Sequence, residues 1–314
     1  MSIVFSEINI RSVNKALKHG CLWIWIAALF IFCVPHNSHA FKTRFGFGEP
    51  IHESILKDAL TPLGFQEQSI GKIIEGCNSQ DWPFSSKFTN SPHHHFDDNR
   101  IRDSYEYITH QLNIAKIAAG NAVGNPKSRD RVLYMLGEAF HTLQDFYSHS
   151  NYVEWLLHDN KLLVPMDWKA GIPPRIRSGY YYFSWLLDNE MFRPRAGSAE
   201  ELLKELHTQH PEIRFHTDEE YKIRKNNPTY INALDYVVGD KEVLHCELNK
   251  DDKNSFQGSI VVPHATTAGN NFYEIARTLA TNDTARHWKM FCEMLREEYG
   301  KRAPAIIAYL EGKP

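Results

Sequence analysis

His141, Asp145 and His149 stand four residues apart in the stretch His141-Thr-Leu-Gln-Asp-Phe-Tyr-Ser-His149. In an α-helix of about 3.6 residues per turn, this spacing puts all three side chains on one face, drifting by about 40° per step. Two imidazoles and a carboxylate converging from one face outline a site for a first-row divalent metal. The preceding residues, Arg131-Val-Leu-Tyr-Met-Leu-Gly-Glu-Ala-Phe140, are apolar nearly all round, so the helix is expected to be buried. A buried helix with three titratable groups needs partners for them, because unpaired buried charge is costly. The spacing alone also fits three hydrogen-bonded polar residues on an ordinary helix.

A second group of donor side chains lies upstream. Asn78-Ser-Gln-Asp81-Trp82-Pro83 precedes Pro92-His93-His94-His95-Phe96-Asp97-Asp98. Asp81 and His95 are close enough in a loop-rich segment to fold back onto one ion, although adjacent histidines also occur as solvated patches. His52 lies just inside a first helix, and His264 follows Val261-Val-Pro263 at the expected start of a late one. Glu154 and His158 are again four apart, a spacing that an exposed ion pair explains equally well.

The elements that must position these residues read as helices. Glu53–Leu60, Gln66–Cys77 and Ile101–Ala119 carry amphipathic periods, and Gly120–Lys127 is a turn. The helix from Asp130 to about His158 bears the His/Asp face and is expected to bend near Ser148. Ser198–His207 and Glu219–Lys225 are short candidates, and Thr266–Ala280 and Thr284–Tyr299 close the chain as two more. Strand alternation, internal repeats and low-complexity linkers are not evident. The fold class expected is therefore all-α, one domain over residues 41–314 with a looser insertion at about residues 160–260.

The chain has 314 residues and a net charge of −3, which argues against a dedicated nucleic-acid coat. Residues 1–40 read as a signal peptide. Arg11, Lys15 and Lys18 precede the apolar run Cys21–Val34, and small residues at Ser38 and Ala40 offer a cleavage site. The run is short for a membrane span, with an uncleaved anchor as the other reading. Cleavage after Ala40 makes Phe41 the first residue and leaves Cys77, Cys246 and Cys292, too sparse a set for a disulfide scaffold. A secreted or periplasmic location follows, with metal captured by His and carboxylate ligands.

The order of these donors resembles the secreted zinc-dependent phospholipases C: an N-terminal residue, a His, an Asp, His-Phe-x-Asp, then His-x-x-x-Asp with another His close behind. The segment Leu136-Gly-Glu-Ala-Phe-His-Thr-Leu-Gln-Asp-Phe-Tyr-Ser-His-Ser-Asn-Tyr-Val-Glu154 is most similar to the Het-C-type branch of that superfamily, to which the single-strand-specific zinc nucleases are related. The resemblance covers residues 41–158 and, more weakly, 245–290. It implies a multi-helix bundle of the zinc-dependent phospholipase C and zinc nuclease type, binding two or three Zn²⁺ ions. Carried over, Asp81, His95, His141 and Asp145 would surround one ion. Asp145 would bridge to another held by His52 and by the amino group and carbonyl of Phe41, where the superfamily usually has Trp. His149 would begin a third site.

The chain departs from the phospholipase pattern there. Its second histidine follows the Asp by four residues, not six, and no clean His-x-x-x-Glu pair stands downstream. His264 is the candidate for the next ligand, beside the small residues Ala265 and Ala268, with His245 in second place. Glu154 completes the resembling motif as a candidate to bind or polarise water.

The chemistry implied is phosphodiester hydrolysis. Zinc lowers the pKa of its water to roughly 7, and paired ions about 4 Å apart hold nucleophile and phosphate oxygens together. A free carboxylate oxygen of Asp81 or Glu154 is the candidate proton acceptor. The substrate expected is a glycerophospholipid met at a membrane interface. Tyr180-Tyr-Tyr-Phe-Ser-Trp185 and Trp168 offer interfacial aromatics, though such a stripe also serves as core. Arg175, Arg177, Arg193 and Arg195 beside them leave a zinc nuclease as the alternative. A Het-C-like recognition or toxin-related protein with little catalysis is a third reading. No separate C-terminal lipid-binding β domain is evident.

Overall fold

Burial on every side, not on one stripe, sets the central element of this chain. In the computed structural model, which describes residues 50–81, 91–181, 199–227 and 229–313, a helix over Pro126–His149 is buried almost continuously from Leu136 onward. The expected signal peptide, Phe41 and most of the aromatic run after Tyr181 lie outside the described residues. The helices introduced here are α1 (Ile51–Leu60), α2 (Glu67–Asn78), α3 (Ile101–Ala119), α4 (Pro126–His149) and α5 (Tyr152–His158). They are followed by α6 (Ala199–Gln209), α7 (Asp218–Asn226), α8 (Tyr230–Val238), α9 (Phe272–Tyr299) and α10 (Ala303–Glu311). Around α4 pack α2, α3, α9 and α10, while α9 also covers α1 and α8 covers α5. The described chain is all-α apart from one antiparallel hairpin, β1 (Val261–Thr266) with β2 (Gly269–Asn271), in register Val261 to Asn271 and Thr266 to Gly269. Among the described residues no helix is long and apolar enough to cross a membrane.

Local chemistry explains the boundaries of α4. Asn125 caps its start by accepting from Ser128 N at 3.2 Å, and Pro126 occupies the first turn, where its missing N–H is harmless. The expected bend near Ser148 is a full interruption: Ser150 is extended (φ −103°, ψ 163°) and its hydroxyl donates to Phe146 O. Asn151 then ties the break to its surroundings, donating from Nδ2 to Arg175 O at 3.0 Å and Val237 O at 2.8 Å.

Two glycines let α2 and α4 touch backbone to backbone. A Cβ on Gly76 would stand 2.0 Å from Tyr134 O, and one on Gly137 would stand 2.0 Å from Ile73 O. Only hydrogen fits there, so the pair sets the separation of the helices that carry Cys77 and His141.

Three expectations differ from the structure in instructive ways. The late helices are one, α9, because the polar run Thr281-Asn-Asp-Thr284 is satisfied inside it. Thr281 and Thr284 bond back to Arg277 O (2.9 Å) and Ala280 O (2.8 Å). Asp283 is buried and accepts from Tyr147 Oη at 2.6 Å and from Trp168 Nε1 at 3.3 Å. Residues 266–271, expected as the first turns of a helix, form the end of β1 and all of β2, and Asn271 caps α9 through Glu274 N at 2.8 Å. Helices α8 and α10 were not foreseen.

Candidate metal centre

The donors come from several elements. Pro50 precedes α1 and brings His52 into its first turn. The end of α2 leads through Ser79 and Gln80 to Asp81, while α4 presents His141, Asp145 and His149. His95 and Asp97 sit on a loop with three residues in the left-handed region: Phe96 (φ 56°), Asp98 (φ 55°) and Asn99 (φ 56°). Such conformations cost on the order of 1 kcal/mol each and persist only when held. Here Phe96 packs on Phe146 with ring centroids 5.2 Å apart, and Asp98 Oδ1 accepts from Tyr181 N at 2.9 Å. Asn99 Oδ1 accepts from Ser178 N at 2.8 Å and Gly179 N at 3.0 Å.

The first cluster centres on Asp145, which is wholly buried. Its Oδ1 lies 3.2 Å from His52 Nε2, while Oδ2 lies 3.1 Å from His141 Nε2 and 3.2 Å from His95 Nδ1. The two ring nitrogens His141 Nε2 and His95 Nδ1 are themselves 3.2 Å apart. Asp81 Oδ1 stands 3.5 Å from His141 Nε2 and 3.7 Å from His95 Nδ1, and its buried Oδ2 has no hydrogen-bond partner among the described residues. His52 and His141 stack at 4.3 Å. The outer nitrogens are also occupied: His52 Nδ1 is 2.7 Å from Gln144 Oε1, and His141 Nδ1 is 3.6 Å from Cys77 Sγ. A proton on His52 Nδ1 leaves Nε2 as the lone-pair atom facing Asp145, an assignment made from its partner.

The second cluster continues from the first through the same loop. His149 Nδ1 lies 2.9 Å from His95 O and 3.4 Å from Asp97 Oδ1, and His149 Nε2 lies 3.3 Å from Asp251 Oδ1. His245 Nδ1 is 3.0 Å from Asp97 Oδ1, with its ring 4.1 Å from that of His149. Ser148 Oγ and Asn249 Nδ2 donate to Asp251 and fix its carboxylate.

The charges respond to one another. Burial alone would raise Asp145, but the imidazoles of His141, His52 and His95 hold it well below the usual carboxylate range. Burial lowers His52 and His95, yet Asp145 and Asp81 outweigh it and both end raised. At His141 burial wins, and its pKa is lowered. His149 is raised well above the ordinary imidazole value because Asp251 and Asp97 overcome burial, and Asp97 is lowered by His245 and His149 against its own burial. Burial pushes the Cys77 thiol well up, so it stays protonated.

Of the expected site residues, His52, Asp81, His95, His141 and Asp145 are linked by pairwise contacts in one buried region, and His149 starts an adjoining cluster. His264 does not join them: it is exposed on β1, because the expected helix start is a strand. His245, from the 160–260 stretch, joins His149 instead. Glu154 is also elsewhere. Its Oε1 accepts from Lys250 Nζ at 3.0 Å and Gln257 Nε2 at 2.8 Å, and it belongs to none of the His/Cys/Asp clusters found among the described residues. The pair Glu154–His158 does not form, since His158 turns to Asp159 at 2.9 Å. Sequence reasoning missed Asp97, Asp251, Gln144 and Cys77. Asp97 was within reach, next to His95 in His95-Phe-Asp-Asp98, but the His-Phe-x-Asp pattern points to Asp98, which binds a backbone amide instead.

These buried His/Cys/Asp clusters could hold metal ions. Residues 51–165 match the family described as the VWA7 N-terminal domain, a span that includes every residue of the two clusters except His245 and Asp251. The chain is similar to human von Willebrand factor A domain-containing protein 7, at 36% identity over 86 residues. That match covers 27% of this chain and spans 9% of the human protein's length. No solved structure matches the chain.

Proposed function

We propose that this chain is a zinc-dependent phosphodiester hydrolase of the phospholipase C type, acting on glycerophospholipids. The observation that carries the reading is Asp145, whose two oxygens face different imidazoles: Oδ1 toward His52, Oδ2 toward His95 and His141. That is the arrangement a carboxylate needs to bridge two cations. The spacing supports zinc. Ligands at about 2.0–2.1 Å around a tetrahedral ion lie roughly 3.3 Å from each other. Five donor pairs among Asp145, His95, His141 and Asp81 are separated by 3.1 to 3.7 Å. Hydrogen bonding explains these contacts poorly, since the single proton of His141 Nε2 cannot serve Asp81, Asp145 and His95 at once.

In this reading His52, Asp81, His95, His141 and Asp145 would hold the paired ions, and Asp97, His149 and His245 would surround a further one, with Asp251 at the other ring nitrogen of His149. Divalent ions held there would supply a water ionised near neutral pH and offset charge developing on the phosphoryl oxygens. Asp81 Oδ2, buried and without a hydrogen-bond partner among the described residues, would be the acceptor for the water's proton. Gln144 and Cys77 keep the outer nitrogens of His52 and His141 engaged, so both imidazoles hold their direction through the reaction. The lipid substrate rests on the resemblance to the Het-C-type branch.

The test is release of phosphocholine from phosphatidylcholine vesicles by the purified mature protein, beside cleavage of single-stranded DNA, before and after chelation. Phosphocholine release lost with chelator and restored by zinc supports the proposal. DNA cleavage in its place selects a zinc nuclease. A zinc-loaded protein inert toward both substrates refutes hydrolysis and leaves the metal a structural role.

A further inference from the structure

The interruption between α4 and α5 receives a second segment of chain. Lys250 N donates to Ser148 O at 3.1 Å, beside His149. Its ammonium donates to Ser150 O at 2.8 Å, Leu248 O at 2.7 Å and Glu154 Oε1 at 3.0 Å. All three ammonium protons therefore have acceptors, two of them carbonyls, one from the broken helix and one from the segment itself. Gln257 Nε2 adds a donor to Glu154, and Arg224 reaches both Gln257 Oε1 and Glu247 O. Lys250, Glu154 and Gln257 have no exposed surface.

A buried ion pair is weak evidence for stability, because desolvation offsets much of its attraction. Its geometry imposes position instead. Lys250 directly precedes Asp251, whose Oδ1 faces His149 Nε2, and the same short segment carries His245. We infer that the Glu154–Lys250 pair is a latch that seats residues 243–257 on the α4–α5 break and thereby completes the second cation cluster. The first cluster is independent of it, since its donors ride on α1, α2, α4 and the His95 loop. Glu154 and Lys250 are thus positioning residues that act through Asp251 and His245. The metal half of this inference rests on the proposed function; the latch does not.

Two readouts separate them. In metal-free Glu154→Gln and Lys250→Met, amide exchange across residues 243–257 should rise about tenfold or more, while α2 and the Leu136–His149 half of α4 keep their protection. Equilibrium dialysis with zinc should then show one ion fewer per chain than the unmodified protein, with the remainder bound as tightly as before. Unchanged exchange over 243–257 overturns the latch whatever the metal content. Loss of every ion together overturns the independence of the first cluster. A wild type that binds no zinc, with exchange still raised in the variants, overturns the metal reading while the latch stands. Should either variant fail to fold, Gln257→Leu keeps the ion pair and removes one donor, and the same exchange should rise about threefold.

Discussion

Gly137→Ala tests the idea that helix proximity builds the centre. The added Cβ would lie 2.0 Å from Ile73 O and 2.8 Å from Cys77 N, both backbone atoms of α2. Ordinary contact needs about 3.4 Å, so α2 and α4 must part by more than 1 Å, or one of them must deform. Overpacking of this kind costs about 1–3 kcal/mol, against a gain of about 1 kcal/mol from replacing a helical glycine. The net expectation is destabilisation by up to about 2 kcal/mol, with a larger effect on the metal. Asp81 follows α2 and His141 rides on α4, and a shift beyond about 0.5 Å exceeds what a preorganised site tolerates. Zinc affinity should fall about 10- to 100-fold. Gly71→Ala in the same helix α2 is the control: a Cβ there meets nothing within 4 Å, so it should stabilise by about 1 kcal/mol and leave zinc binding alone. Urea unfolding and zinc titration of both variants provide the measurement. The reasoning is refuted if Gly137→Ala matches the wild type in stability and zinc affinity.

Three further outcomes are expected. Asp145→Asn should abolish zinc binding measured by elemental analysis and destabilise the metal-free protein by about 3–5 kcal/mol, because it uncouples a buried charge from three imidazoles; retained stoichiometric zinc would contradict the bridging role. In metal-free protein His149, His52 and His95 stand above their ordinary 6.5, so their stabilisation is complete below that value and fades as pH rises through the folded pKa. His141, lowered, opposes them, and Asp145 loses its contribution only as pH falls below its ordinary 3.8. The metal-free melting temperature should therefore decline above about pH 6.5, while zinc, which requires deprotonated ligands, should stabilise more as pH rises; equal slopes with and without zinc in calorimetry would show that these histidines are not ligands. Asn99→Ala should cost about 1–3 kcal/mol in urea unfolding, since it strands the amides of Ser178 and Gly179 and leaves a β-carbon at φ 56° without compensation; a change under about 0.5 kcal/mol would mean the loop is held by other contacts.

The four-residue rhythm of His141, Asp145 and His149 was readable without coordinates because a helix imposes it locally, and the apolar residues before it announced burial. The helical character of α1 to α4 followed from the same periodicity, and Asp81 and His95 could be named from their types and nearness to those helices. What periodicity cannot express is contact between distant segments. Nothing local marks Asp251 or His245 as facing His149; the α4–α5 break and the Lys250 contacts bring them there. Glu154 illustrates the reverse: its motif position suggested water activation, and a lysine nearly a hundred positions away claims its carboxylate. Likewise α9 runs unbroken because Asp283 finds Tyr147 and Trp168 across the core. Side-chain type and spacing decided which residues are able to bind a cation, since those properties belong to the covalent chain. Which of them could share one depends on helix packing at Gly76 and Gly137 and on where buried charges find partners, and both exist only once the chain has folded.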